Sequence, residues 1–195
     1  MNFLAHLYLS GDNKPLRIGN FIADHVKGKS IERLSSEIIQ GVLLHRKIDH
    51  FTDHHPVVEK TRILLRPYFH KYAGVVADVY FDHFLALKWD DFSNQKLETY
   101  ASEFYIETEK YSQWLPERTI QMLPFMISNN WLLSYASVYG IGKVLGGMAR
   151  RTPFESGMEK GAEVLILNYA QLESDFNTFF PQLEAFVKME ISGTL

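Results

Sequence analysis

Apolar residues recur along this chain at spacings of three and four, and almost nowhere at a sustained spacing of two. That period gathers them on one face of a helix rather than on alternate faces of a strand. It predicts a short helix over 1–10 and a second over 15–28, opened by Pro15 and stopped by Gly28. A third runs from Ser35-Ser36-Glu37 to about Phe51, and Pro56 opens a fourth, VVEKTRILLRPYF, ended or kinked at Pro67. Further helices are predicted over 73–89, 95–114, 117–136, 138–150 and 155–179, the last stopping before Pro181, with a final one over about 182–190. The only β-like patches, Val75-Val76 and Val164 to Leu167, sit in helical surroundings. No repeat, low-complexity tract or linker breaks the pattern. The reading is an all-α, single-domain helical bundle over 1–195.

Composition narrows the class. A chain of 195 residues can bury a substantial core without staples. Aromatic residues make up 14%, which suits a tight core or an apolar groove. The stretch FMISNNWLLSYASVY, 125–139, reads as a core stripe or as the lining of a channel. The absence of cysteine removes disulfides, thiolate zinc sites, iron–sulfur clusters and a cysteine nucleophile. A net charge of −3 offers no bulk basicity, so nucleic acid is not an expected partner. The opening MNFLAHLYLS has no basic region before its apolar stretch, and His6 breaks the run. No apolar run reaches membrane-spanning length. A soluble cytoplasmic protein with no membrane partner is expected.

Ionisable groups interrupt apolar sequence in four places: His6 in NFLAHLYL, Asp24 in GNFIADHV, His45 and Asp49 in GVLLHRKID, and Asp78, Asp82 and His83 in VVADVYFDHFLAL. Burying a lone carboxylate costs several kcal/mol unless something compensates. His45 and Asp49 are four residues apart, as are Asp78 and Asp82, and Asn20 and Asp24, so each pair shares a helix face. Three such faces can converge on a divalent cation, as helical bundles often arrange. Taken alone, His6 reads as a core or capping histidine, and His50, His54, His55 and His70 as helix ends or surface. Asp78 and Asp82 have the fewest structural explanations, although Arg46 or Arg62 can pair with one of them.

Missing motifs limit the chemistry. There is no Glu-x-x-His, His-Glu-x-x-His, phosphate-binding glycine loop or Gly-x-Ser-x-Gly elbow. A site of His and Asp remains, better suited to Mn²⁺, Mg²⁺ or Fe²⁺ than to structural zinc.

Four segments, MNFLAHLYLS, GNFIADHVKG, GVLLHRKIDHFTD and ADVYFDHFLALKW, with GKVLGGMARRTP later, together resemble the acyl carrier protein phosphodiesterase family from residue 1 to about 180. The resemblance implies an all-α fold distantly related to the His-Asp metal-dependent phosphohydrolases. It implies hydrolysis of the phosphodiester joining phosphopantetheine to a serine of acyl carrier protein, with Mn²⁺ as cofactor. The adjacent His-Asp dipeptide of that superfamily is nowhere in this chain; the doublets are reversed, as in Asp24-His25 and Asp82-His83. Ligands are therefore assigned by helix face: Asp24, His45, Asp78 and Asp82 first, then His6, Asp49 and His83. Asp24, Arg46 and His83 are the expected catalytic groups, Arg46 as a clamp on the phosphate. An acidic carrier protein calls for a basic docking surface, for which Lys27, Lys29, Arg46, Lys47, Arg150 and Arg151 are candidates. The alternatives are a metal phosphohydrolase for nucleotides or other small phosphodiesters, and a non-enzymatic helical module that binds a partner.

Overall fold

The computed structural model describes residues 1–193. Among these the regular structure is helical, and the β-like patches Val75-Val76 and Val164 to Leu167 lie within helices. The helices are α1 (Phe3–Leu9), α2 (Lys14–Ile22), α3 (Ser36–Asp53), α4 (Pro56–Phe69), α5 (Ala73–Leu87) and α6 (Trp89–Phe92). They continue with α7 (Leu97–Lys110), α8 (Glu117–Ser128), α9 (Trp131–Ser134), α10 (Val138–Arg151), α11 (Gly161–Leu167) and α12 (Tyr169–Ser192).

Local chemistry sets several starts. The Asn13 and Ser35 side chains accept from the third backbone N–H beyond them and cap α2 and α3. Proline occupies the first turn of α2 and of α4, where its missing N–H costs nothing.

Three expected helices end differently. The segment 15–28 stops as an α-helix at Ile22, continues as a single 3₁₀ turn, Ala23–His25, and reaches Gly28 at φ +54°. The segment 117–136 breaks at Asn129 and Asn130, the latter left-handed at φ 41°. The segment 155–179 is divided at Asn168, and α12 then runs straight through Pro181. A proline inside a helix costs about 3 kcal/mol. Phe176, Phe179, Phe180, Leu183 and Val187 outweigh it by burying one continuous face of α12.

α5 is the central rod. Val76, Ala77, Val79, Tyr80, Phe81, Phe84 and Leu85 are buried around its circumference, as expected of a helix enclosed on all sides. It packs on α1, α4, α10 and α12. α2 and α3 cross at unusually short range: a Cβ at Gly19 would lie 2.0 Å from the Ile38 carbonyl oxygen, and one at Gly41 would lie 2.1 Å from that of Leu16. Only glycine lets the two backbones approach this closely. The crossing brings Asn20 of α2 against His45 of α3.

Candidate metal and active site

His6 of α1 and His45 of α3 stack with ring centroids 4.0 Å apart and planes 16° apart. Both are buried, and wholly buried Asn20 lies behind them. The Asn20 amide nitrogen donates to the His6 carbonyl and to the Ser10 hydroxyl, each at 2.9 Å. A carbonyl can only accept, so this contact fixes the amide and turns its oxygen toward the imidazoles. His6 Nδ1 donates to that oxygen at 2.8 Å. His45 Nδ1 donates to it at 3.1 Å and to the Asn20 backbone carbonyl at 2.9 Å. The first proton of each ring is thereby placed on Nδ1, so that Nε2 points away from Asn20 and carries a lone pair whenever its ring is neutral.

Carboxylates stand on that far side. Asp49 Oδ2 is 3.0 Å from His45 Nε2, and Asp49 Oδ1 is 3.3 Å from His6 Nε2. Asp24 Oδ1, delivered by the 3₁₀ turn after α2, is 3.4 Å from His45 Nε2. Both Nε2 atoms are buried, and these carboxylates are the groups they face among the described residues. A nitrogen lone pair facing a carboxylate oxygen at this range is repulsive unless a proton or a cation lies between them. Ligand atoms of His6, His45 and Asp49 all lie within 4.8 Å of one another. The Asp49 and Asp24 side chains are 40% and 71% exposed, so the cluster is sealed on the Asn20 side and open to solvent on the carboxylate side.

The electrostatics agree with this arrangement. Burial pushes His6 down to about 4, and the neighbouring His45 pushes the same way. Burial would also lower His45, but the Asp24 and Asp49 carboxylates outweigh it and raise the ring to about 9. Burial opposes ionisation of Asp49, yet the two histidines hold it far below the usual carboxylate range. Asp24 is lowered by its contact with His45. Without a metal, the cluster is one neutral imidazole and one imidazolium beside two carboxylates. A divalent cation can replace the imidazolium proton, and two imidazoles with carboxylate oxygens form a donor set that fits one.

The other expected site residues lie elsewhere. Asp78 of α5 stands beside the cluster: its Oδ1 is 3.2 Å from the Met1 amine, which is 3.9 Å from Asp49 Oδ1. Asp82, one turn on, accepts from the backbone N–H groups of Asn2 (3.2 Å) and Leu4 (2.7 Å). It caps the start of α1 from another helix, and burial pushes its carboxyl up to about 7. It therefore holds α1, which carries His6, and does not enter the cluster. His83 faces a different region, with Nδ1 donating to the Tyr135 carbonyl at 2.7 Å and Nε2 3.2 Å from the Tyr169 hydroxyl.

Arg46 is exposed, about 100° around α3 from buried His45. Lys27 and Lys29 are exposed, and Lys47 pairs with Glu190. His50, His54 and His70 are on the surface. His55 is buried and caps α4 through the Val57 N–H. Ser10 and the Met1 amine carry no signal in the sequence. Asn20 carries one, an amide inside the apolar run IGNFI.

Comparison with known proteins follows the same outline. The family model described as acyl carrier protein phosphodiesterase matches residues 1–183. A Photorhabdus laumondii protein named acyl carrier protein phosphodiesterase is 33% identical over 188 residues, covering 94% of this chain and 93% of its own. Proteins of that name from Escherichia coli O157:H7 (34% over 189 residues, 95% and 96% covered) and Yersinia pestis (32% over 184 residues, 94% and 95% covered) are similarly close. No solved structure matches the chain. With a family model spanning nearly all of its length, and relatives above 30% identity along the whole chain, this protein belongs to the acyl carrier protein phosphodiesterase family.

Proposed function

We propose that this chain hydrolyses the phosphodiester between phosphopantetheine and a serine of acyl carrier protein, releasing apo carrier protein, and that His6, His45 and Asp49 hold a divalent cation for that reaction. The observation that carries the reading is the convergence of two buried Nε2 atoms on the Asp49 carboxylate, with ligand atoms of His6, His45 and Asp49 all within 4.8 Å of one another. The family names of the relatives supply the substrate.

The donor set is nitrogen and oxygen without sulfur, which suits Mn²⁺ or Fe²⁺ and tolerates Mg²⁺. Such a cation supplies charge neutralisation at the phosphoryl oxygens and a more acidic water. The protein supplies the rest. Asn20 fixes both imidazoles and keeps their Nδ1 protons in place. Asp24, ionised and exposed at the mouth, takes the proton of the attacking water at Oδ1 and returns it to the serine oxygen as the phosphorus–oxygen bond to serine breaks. Asp82 keeps α1, and with it His6, in register.

The test is incubation of holo acyl carrier protein with wild type, Asp49→Asn and Asp24→Asn, read by mass spectrometry of the carrier protein. Wild type with Mn²⁺ should remove the phosphopantetheine mass, and both variants should lose at least about 100-fold in rate. An Asp49→Asn protein of full activity would remove the cluster from the reaction. Hydrolysis of a nucleotide diester with the carrier protein untouched would instead make this a small-molecule phosphohydrolase.

A further inference from the structure

A cavity of about 1060 Å³ opens between α8, α9 and α10. Its wall includes Phe3, Phe125, Trp131 and Tyr139, and its cations are Lys143, Arg150 and Arg151. The lining contains no aspartate or glutamate, in a protein whose net charge is −3. None of the three cations belongs to an ion pair of the described residues. Two of them rest on rings instead: Lys143 lies 4.5 Å from the Tyr139 centroid and Arg151 lies 5.6 Å from that of Trp131. A cation held over an aromatic face keeps its charge available to an incoming anion. Phe125 and Tyr139 are 65% and 74% exposed, an unusual state for large rings.

Phe3 ties this groove to the metal cluster. It lines the cavity, packs 6.3 Å from Trp131, and precedes His6 on α1 by three residues, so both occupy neighbouring positions of one helix. The floor is a strip of α10. A Cβ at Gly147, which lines the groove, would meet nothing nearer than the Arg150 guanidinium, at 3.8 Å. Packing inside the chain therefore does not explain this glycine, which costs a helix interior about 1 kcal/mol against alanine.

The geometry points to this groove as the docking surface for an acidic face of the protein substrate, its carboxylates meeting Lys143, Arg150 and Arg151 and its apolar side chains meeting Phe125 and Tyr139. This assignment rests on the carrier-protein reading above, and charge complementarity selects the occupant. Docking there leaves the phosphodiester arm to reach past Phe3 toward His6.

The test compares wild type, Arg150→Glu/Arg151→Glu, the milder Arg150→Gln/Arg151→Gln, and Lys188→Glu as an exposed control outside the groove. Each is checked for an unchanged melt. Each is then measured for Kd toward holo acyl carrier protein by fluorescence anisotropy, for turnover of that protein, and for hydrolysis of bis(p-nitrophenyl) phosphate with Mn²⁺. The charge reversal should raise Kd and KM for the carrier protein at least about 10-fold and flatten their salt dependence. The glutamine pair should fall between, the Lys188→Glu control should match wild type within twofold, and the small diester should be cleaved equally by all. Tight binding and turnover unchanged by both double variants would overturn the groove and leave the reaction standing. Carrier protein bound in the groove but never cleaved would overturn the reaction and leave the groove. Wild type that neither binds nor cleaves it would overturn both.

Discussion

Replacing Gly41 with alanine tests the crossing on which the cluster depends. Alanine is the better helix former by about 1 kcal/mol, so on propensity alone Gly41→Ala should stabilise α3. The structure reverses the sign. The new methyl would lie 2.1 Å from the Leu16 carbonyl oxygen, 2.7 Å from the Gly19 Cα and 2.8 Å from the Asn20 nitrogen. All three are backbone atoms, so the helices must part by about an ångström to restore ordinary contact distances. Overpacking of this kind costs about 1–3 kcal/mol. Parting α2 from α3 also stretches the 2.9 and 3.1 Å bonds from His45 to Asn20, and a buried group left unsatisfied costs roughly 1–3 kcal/mol more. After the propensity gain, the net loss is about 1–5 kcal/mol, or roughly 2–20 °C in Tm for a domain of this size. Gly146→Ala is the matched control, because its methyl meets nothing closer than Arg150 Nη1 at 3.7 Å; it should be neutral or raise Tm by a few degrees. Thermal melts by circular dichroism, with Mn²⁺ and with chelator, read both variants. The Gly41→Ala protein should also lose most of the Mn²⁺-induced rise in Tm. A Gly41→Ala melt at or above that of wild type would refute the close crossing and the argument that it positions His45.

Two further expectations follow from the cluster. Asn20→Ala removes the acceptor shared by the His6 and His45 Nδ1 protons, and should weaken Mn²⁺ binding by roughly 10- to 100-fold in a titration of the folded protein; an unchanged affinity would mean that the rings are oriented by packing alone. In the metal-free protein, His45 is raised from 6.5 to about 9, so the folded state binds its proton more tightly than the unfolded state does. That contribution is complete below pH 6.5 and is lost as pH rises through 9, lowering stability by up to about 3 kcal/mol, which urea midpoints measured in chelator between pH 6.5 and 9 will report as a falling curve. A flat or rising profile would contradict the contacts of His45 with Asp24 and Asp49.

The sequence by itself determined the class of the fold, most helix positions and the set of His and Asp groups from which the cluster is drawn. Helical periodicity is a local property, and the apolar faces of α3, α4 and α5 are written in consecutive residues. His6, Asp24, His45 and Asp49 were legible because polar groups within apolar runs demand partners. Tertiary structure decided which partner each one received. Asp78 and Asp82 share a helix face just as His45 and Asp49 do, yet α5 presents them to the Met1 amine and to the N–H groups of α1. Their spacing could not distinguish a ligand from a cap, because both roles place a carboxylate on a buried face. Long-range packing likewise carried α12 through Pro181, against its local signal, since the phenylalanine face it buries outweighs one missing hydrogen bond. The convergence at His6 and His45 depends on two glycines, Gly19 thirteen residues beyond His6 and Gly41 four before His45, which let separate backbones nearly touch. Contacts between residues distant in the chain have no periodic signature, so they became visible only when the helices were packed.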